Sequence, residues 1–289
     1  MNRLLFLLLL VFYCASASSQ TKIFISVDME GIGGIGTKKM LGDGGKDYSL
    51  GRKLMTDEVN AVVAAIFEHG PAEILVNDSH GDMQNLLHTE LDPRVNYIQS
   101  NIKPLGMVQG MDSTFDAAIF IGYHARAGTP DAFMAHTGSG AVQGLWINGT
   151  EVGEGGLNAH YAGSVGVPVI LASGDKAFTE QFAKLVPTRL VVTKTAIGFS
   201  AANLMHPEKV HAALKSETLA ALADLGSAKP LDVSEPVTFR FREVGPARID
   251  IVMAIPGMRR IDGTTVEYEA NSMDSAYRMI RLIYKYISW

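Results

Sequence analysis

Lys22-Ile23-Phe24-Ile25-Ser26-Val27-Asp28-Met29-Glu30 is a run of β-branched and aromatic residues that stops abruptly at two carboxylates. Such a run reads as a buried strand, and the glycines that follow, Gly31 to Gly36, read as its turn. Downstream, Arg52–His69 places Leu54, Val59, Val62, Val63, Ile66 and Phe67 at near-helical spacing, and Glu73–Asn77 reads as the next strand. Together they make a β-α-β unit. Ala117–Tyr123 and Pro168–Ser173 repeat the pattern, with helices expected around Gly156–Val165 and from Lys176 to Leu185. Strands that alternate with helices predict an α/β fold: a mostly parallel sheet with helices on both faces.

The pattern changes after about Pro230. Pro207–Leu225 reads as a long connecting helix, then Val237–Arg242, Arg248–Met253 and Thr264–Glu269 alternate like antiparallel strands before a closing helix, Ser272–Ile287. A smaller C-terminal α+β region is therefore expected over residues 226–289, after an α/β domain over 18–225.

The first 17 residues carry Arg3, nine apolar residues from Leu4 to Phe12, and Ala15-Ser16-Ala17, as a cleaved secretory signal does. Nine are too few to cross a membrane, which takes about 20. Export to the periplasm or beyond the cell is the expectation, with no membrane attachment after cleavage. Cys14 could suggest a lipid anchor, but the bulky Phe12 and Tyr13 before it do not fit that processing. Cleavage removes Arg3 and Cys14, leaving 24 basic against 30 acidic residues and no cysteine. Disulfides, a thiolate nucleophile and cysteine-ligated zinc are excluded on that count. An acidic balance without a basic run excludes a nucleic-acid partner.

In an open α/β sheet reactive groups gather beyond the carboxyl ends of the strands. Three apolar runs here end in metal-type ligands: Val27 runs into Asp28 and Glu30, Val76 into Asp78 and His80, and Gly122 into His124. In extended chain, residues two apart face the same way, so Asp28 and Glu30 aim at one point. Two imidazoles and two carboxylates suit zinc, and a bridging carboxylate suits a two-metal hydrolytic centre. A single Asp at a strand end is ordinarily a turn former, and a single His a satisfied polar group. The repetition at three strands argues for metal.

Gly31-Ile32-Gly33-Gly34-Ile35-Gly36 has the Gly-x-Gly-x-x-Gly spacing of dinucleotide folds. It is followed by Thr37-Lys38-Lys39 and more glycines, a loop composition, where a phosphate-binding helix should open. Asp28 and Glu30 would also repel a phosphate. No Gly-x-Ser-x-Gly elbow and no His-Glu-x-x-His helix occurs, and Gly138-Ser139-Gly140 reads as a plain loop.

Four stretches, Ser26-Val27-Asp28-Met29-Glu30-Gly31, Val76-Asn77-Asp78-Ser79-His80, Gly122-Tyr123-His124-Ala125-Arg126-Ala127 and Val152-Gly153-Glu154-x-Gly156-Leu157-Asn158-Ala159, together resemble the zinc-dependent D-aminopeptidases of the bacterial dipeptide-transport operon. The similarity runs from about Lys22 to the C-terminus and is densest to about Asp175. The resemblance implies a binuclear zinc site, two Zn2+ per chain, with Asp28 as the bridging ligand and Glu30, His80, His124 and Glu154 completing it. It implies a catalytic role for His136, reached through the loop after Gly128. It also implies short D-aminoacyl peptides as substrates, D-alanyl peptides among them, and a homo-oligomer, a ring-stacked decamer with its sites on an internal channel. The family's members are cytoplasmic, so the signal is a departure. Two rivals stand beside this expectation: an exported peptide- or metal-binding protein without catalysis, and a metal-dependent amidase or esterase of other specificity.

Overall fold

The computed structural model describes residues 20–287. In chain order its elements are β1 (Thr21–Val27), α1 (Tyr48–His69), β2 (Ala72–Asp78), β3 (Asn96–Ile98), β4 (Ala117–Tyr123), β5 (Val142–Ile147), β6 (Thr150–Glu151), α2 (Glu154–Ser164) and β7 (Val169–Asp175). There follow α3 (Lys176–Phe182), β8 (Arg189–Gly198), β9 (Ala201–Leu204), α4 (Pro207–Ala223), β10 (Val237–Glu243), α5 (Pro246–Val252), β11 (Arg259–Arg260), β12 (Thr265–Ala270) and α6 (Met273–Leu282).

The main sheet has seven strands in the order β3-β2-β1-β4-β7-β8-β9, parallel except for the last pair. The α/β expectation holds. Side chains of β1 alternate between two cores as the pleat requires. Ile23, Ile25 and Val27 pack on the face covered by α1 and α4, against Val59, Val62 and Val210, whereas Phe24 joins Phe115 and Phe120 on the other face. That second face is covered by α2, α3 and α6. Among the described residues no helix is long and apolar enough to cross a membrane.

A smaller antiparallel sheet has the order β11-β12-β10-β5-β6. It is the expected C-terminal α+β region, enlarged: β5 and β6 come from the middle of the chain and pair with β10, Phe239 opposite Ile147. Arg248–Met253, expected as a strand, is instead the helix α5. Pro246 sits in its first turn, where a missing N–H costs nothing, and Ile249 and Val252 share its buried face three residues apart. The two layers are joined by a buried polar chain. The Tyr277 hydroxyl of α6 donates to Asn158 Oδ1 at 2.7 Å, and Asn158 Nδ2 donates to the Tyr123 hydroxyl at 2.9 Å. Tyr123 in turn bonds Ser26 at 2.6 Å.

Candidate metal centre

Strand order reverses between β1 and β4, whose neighbours run outward on either side, and a crevice opens beyond the carboxyl ends at such a switch point. Asp28 follows β1, His80 follows β2 and His124 follows β4, and the loops after these strands are sewn together by backbone bonds. Asp28 N donates to Ile121 O at 2.8 Å, Ser79 N to Val27 O at 2.9 Å and Gly31 N to Gly122 O at 2.7 Å. Glu154 is the first residue of α2, and His136 lies on the loop between β4 and β5. The structure thus brings all six expected residues to one place. All are buried except His136, which is half-buried.

The histidines share one arrangement of protons. His80 Nε2 lies 2.7 Å from Leu41 O, His124 Nδ1 3.0 Å from Ala125 O, and His136 Nδ1 2.9 Å from Met134 O. A carbonyl only accepts, so each of these nitrogens carries the hydrogen, and in the neutral ring the other nitrogen is bare. Those second nitrogens all face carboxylates. His80 Nδ1 is 3.2 Å from Asp28 Oδ1 and 2.9 Å from Glu30 Oε2. His124 Nε2 is 3.3 Å from Asp28 Oδ2 and 3.5 Å from Glu154 Oε2, and His136 Nε2 is 3.7 Å from Glu154 Oε1. The rings of His124 and His136 stack with centroids 4.0 Å apart.

Lone pairs that face carboxylates in a buried site need a cation between them, either a proton or a metal. The acid–base balance shows the same demand. Burial and the neighbouring Glu30 push Asp28 up to about 7. Burial alone would raise Glu30 and Glu154, but His80 holds Glu30 well below the carboxylate range, and His124 with His136 brings Glu154 to about 2. Burial opposes charge on His80 and His124 too, yet Glu30 and Asp28 on one and Glu154 and Asp28 on the other hold both well above the ordinary imidazole value. Asp28 Oδ2 and His124 Nε2, both buried, have no hydrogen-bond partner. Asp28-Glu30-His80, Asp28-His124-Glu154 and Glu30-His124-His136 each bring three ligand atoms within 4.8 Å of one another. Imidazole and carboxylate donors at this spacing fit zinc.

Sequence patterns missed the supports of this site. Lys194, fully buried on β8, donates to Glu30 O and Ile35 O, both at 2.6 Å, and so holds the loop that carries two of the carboxylates. Burial lowers it to about 7. A lysine inside the β-branched run Val191–Thr195 is the one signal that marks it. The Gly31–Gly36 run opens no α-helix, only a single turn at Lys38–Met40. Gly138, on the loop read as plain, donates its backbone N–H to Glu154 Oε1.

The D-aminopeptidase family model of peptidase M55 matches residues 21–282. A D-aminopeptidase of Bacillus subtilis (strain 168) is 39% identical over 261 residues, 89% of this chain and 94% of its own length. Among solved structures, the Zn-dependent D-aminopeptidase DppA from Bacillus subtilis, a self-compartmentalizing protease, superposes with a TM-score of 0.89 at 36% identity, covering 93% of this chain and 98% of its own. These matches overturn the expected export. The solved relative is a self-compartmentalizing protease. Residues 1–17, expected as a signal, lie outside the described residues. From its fold, the length of its match and its relatives, the chain belongs to the D-aminopeptidase family of peptidases.

Proposed function

We propose that this chain is a binuclear zinc aminopeptidase that releases N-terminal D-amino acids, D-alanine among them, from short peptides. One observation carries the reading: the second ring nitrogens of three histidines face three buried carboxylates, with Asp28 turning one oxygen to His80 and the other to His124. Asp28 would bridge two ions, one held with Glu30 and His80 and the other with His124 and Glu154. Bound zinc supplies Lewis acidity, making water a nucleophile near neutral pH and polarising the scissile carbonyl.

His136 keeps its Nδ1–H on Met134 O, so Nε2 is its working atom. Protonated there, it delivers a proton to the leaving amine or a hydrogen bond to the developing oxyanion, and either role fails without the imidazole. Beside Glu30, His80 and His136 a cavity of ≈ 700 Å³ is lined by Leu41, Met134 and Phe199, apolar surface for the first side chain, and also by Lys38, Lys39 and Asp43. With the amine and carbonyl fixed at the metals, a seat on one side only distinguishes the two hands of the α-carbon. The names of the relatives support zinc and the D-configuration.

A ring-stacked decamer that encloses the sites agrees with the self-compartmentalizing relative. Ile197, Val244 and Ile251, each more than half exposed, offer apolar surface for it. The test of function is hydrolysis of D-Ala and L-Ala p-nitroanilides, with chelator and with zinc restored. A kcat/KM ratio of about a hundred in favour of the D-form is expected, lost on chelation. Hydrolysis indifferent to chelation would remove the metal reading, and equal rates would remove the D-specific one.

A further inference from the structure

We propose that the wall of the metal-centre cavity formed by Arg281 and Lys285 is a carboxylate subsite, which takes the free C-terminus of a dipeptide whose amide bond lies at the carboxylate and histidine cluster. This rests on the aminopeptidase reading and names its substrate more narrowly: dipeptides with a free carboxylate, in preference to amides and longer chains.

The cavity has a volume of ≈ 270 Å³, at the small end for ligand sites, and its two walls differ in charge. Asp28, Glu30, Glu154, His80 and His136 line one, and Arg281, Tyr284 and Lys285 line the other. The cationic wall comes from α6 and the turn Ile283–Ile287 that continues it. Arg281 is only 3% exposed, and its guanidinium meets neutral acceptors: Lys103 O at 2.8 Å, the Tyr284 hydroxyl at 3.0 Å and Asn101 Oδ1 at 3.1 Å. Lys285 donates to Gly81 O at 3.2 Å. Among the described residues neither cation has a carboxylate partner in an ion pair.

A third basic side chain, Lys103, which burial brings down to about 7, lies against Arg281 and bonds Asn77 Oδ1 and Asp78 O. Of the two acids whose fields reach this group, Asp78 already accepts from Asn85 N, Asn85 Nδ2, Leu86 N and Gln99 Nε2, and Asp82 reaches Lys285 only at longer range. The carboxylates of the facing wall are engaged by the histidines. A buried guanidinium without a counter-ion is costly, and an arriving carboxylate relieves that cost with charge-assisted bonds. The backbone makes room for the guanidinium itself: a Cβ on Gly106, whose φ is +45°, would lie 2.7 Å from Arg281 Cζ.

The experiment compares D-Ala-D-Ala, its C-terminal amide and D-Ala p-nitroanilide in the wild type and in Lys285→Met, Lys285→Arg and Arg281→Lys. Each protein is its own reference, because the acid-to-amide ratio of kcat/KM cancels differences in folding or zinc content. The wild type should favour the acid by about tenfold or more, chiefly through KM. Lys285→Met should bring the ratio close to one, and Lys285→Arg should restore it. A wild-type ratio near one, or a ratio untouched in Lys285→Met, overturns the subsite. So does a fall seen instead in Lys38→Met with Lys39→Met, which would place the carboxylate in the neighbouring cavity. Failure of the wild type on the nitroanilide, which has no carboxylate to bind, would strike the aminopeptidase reading instead.

Discussion

Each histidine of the cluster gives one ring nitrogen to a backbone carbonyl and turns the other on carboxylates, so zinc and protons compete for the same lone pairs. The competition has a sign. In the metal-free protein His80 and His124 are held protonated well above the usual imidazole range, and Asp28 titrates near 7. Ligation requires all three to be deprotonated, so acid favours the metal-free form. Zinc affinity, measured by competition with a chromophoric chelator, should weaken about a hundredfold or more between pH 8 and pH 6; a flat profile would contradict this proton inventory. Substitution separates the roles. His80→Ala and Glu154→Ala should lose zinc and activity together, whereas His136→Ala should keep zinc and lose about 10²- to 10⁴-fold in kcat. Loss of zinc from His136→Ala would make the Glu30-His124-His136 grouping a ligand set and leave no proton donor assigned.

At the scale of elements, the loop after β1 is pressed onto the end of β4. A Cβ on Gly31 would lie 2.0 Å from Tyr123 O, backbone that has no room to yield. Gly31→Ala should therefore cost about 3 kcal/mol, read by urea unfolding, and lower zinc content by moving Asp28 off His124. Strands β1, β2 and β4 are legible in the sequence because each carries an apolar stretch, Ile74–Val76 in β2, that is largely buried and halts at a polar group. Asp28, Glu30, His80 and His124 are legible for the same reason. Glu154 is not, since a carboxylate opening a helix has an ordinary use against the helix dipole, and only the family motif singles it out. Arg248–Met253 misleads because six residues of alternation suit a strand or two turns of helix, and Gly245-Pro246 is what resolves it. Strand β5 escapes notice because Gly144 lies under the ring of Trp146 and interrupts its pattern. Lys194 and Arg281 act across 164 and 178 residues of chain, a separation at which no local pattern exists.

For the whole molecule, five candidate ligands with a shared carboxylate exceed what one tetrahedral ion takes. Elemental analysis of protein purified without chelators and re-exposed to zinc should give close to two zinc ions per chain, and a value near zero would remove the site assignment. The polar chain Tyr277-Asn158-Tyr123-Ser26 also sets an order of events during synthesis. A ribosome that has made residues 1–225 has already made every proposed zinc ligand, yet the partner that fixes Asn158 of α2, four residues after Glu154, is still to come. Nor can β5 find β10 until that last quarter of the chain appears. Every proposed zinc ligand is thus synthesised before the residues that hold α2 and β5 in place.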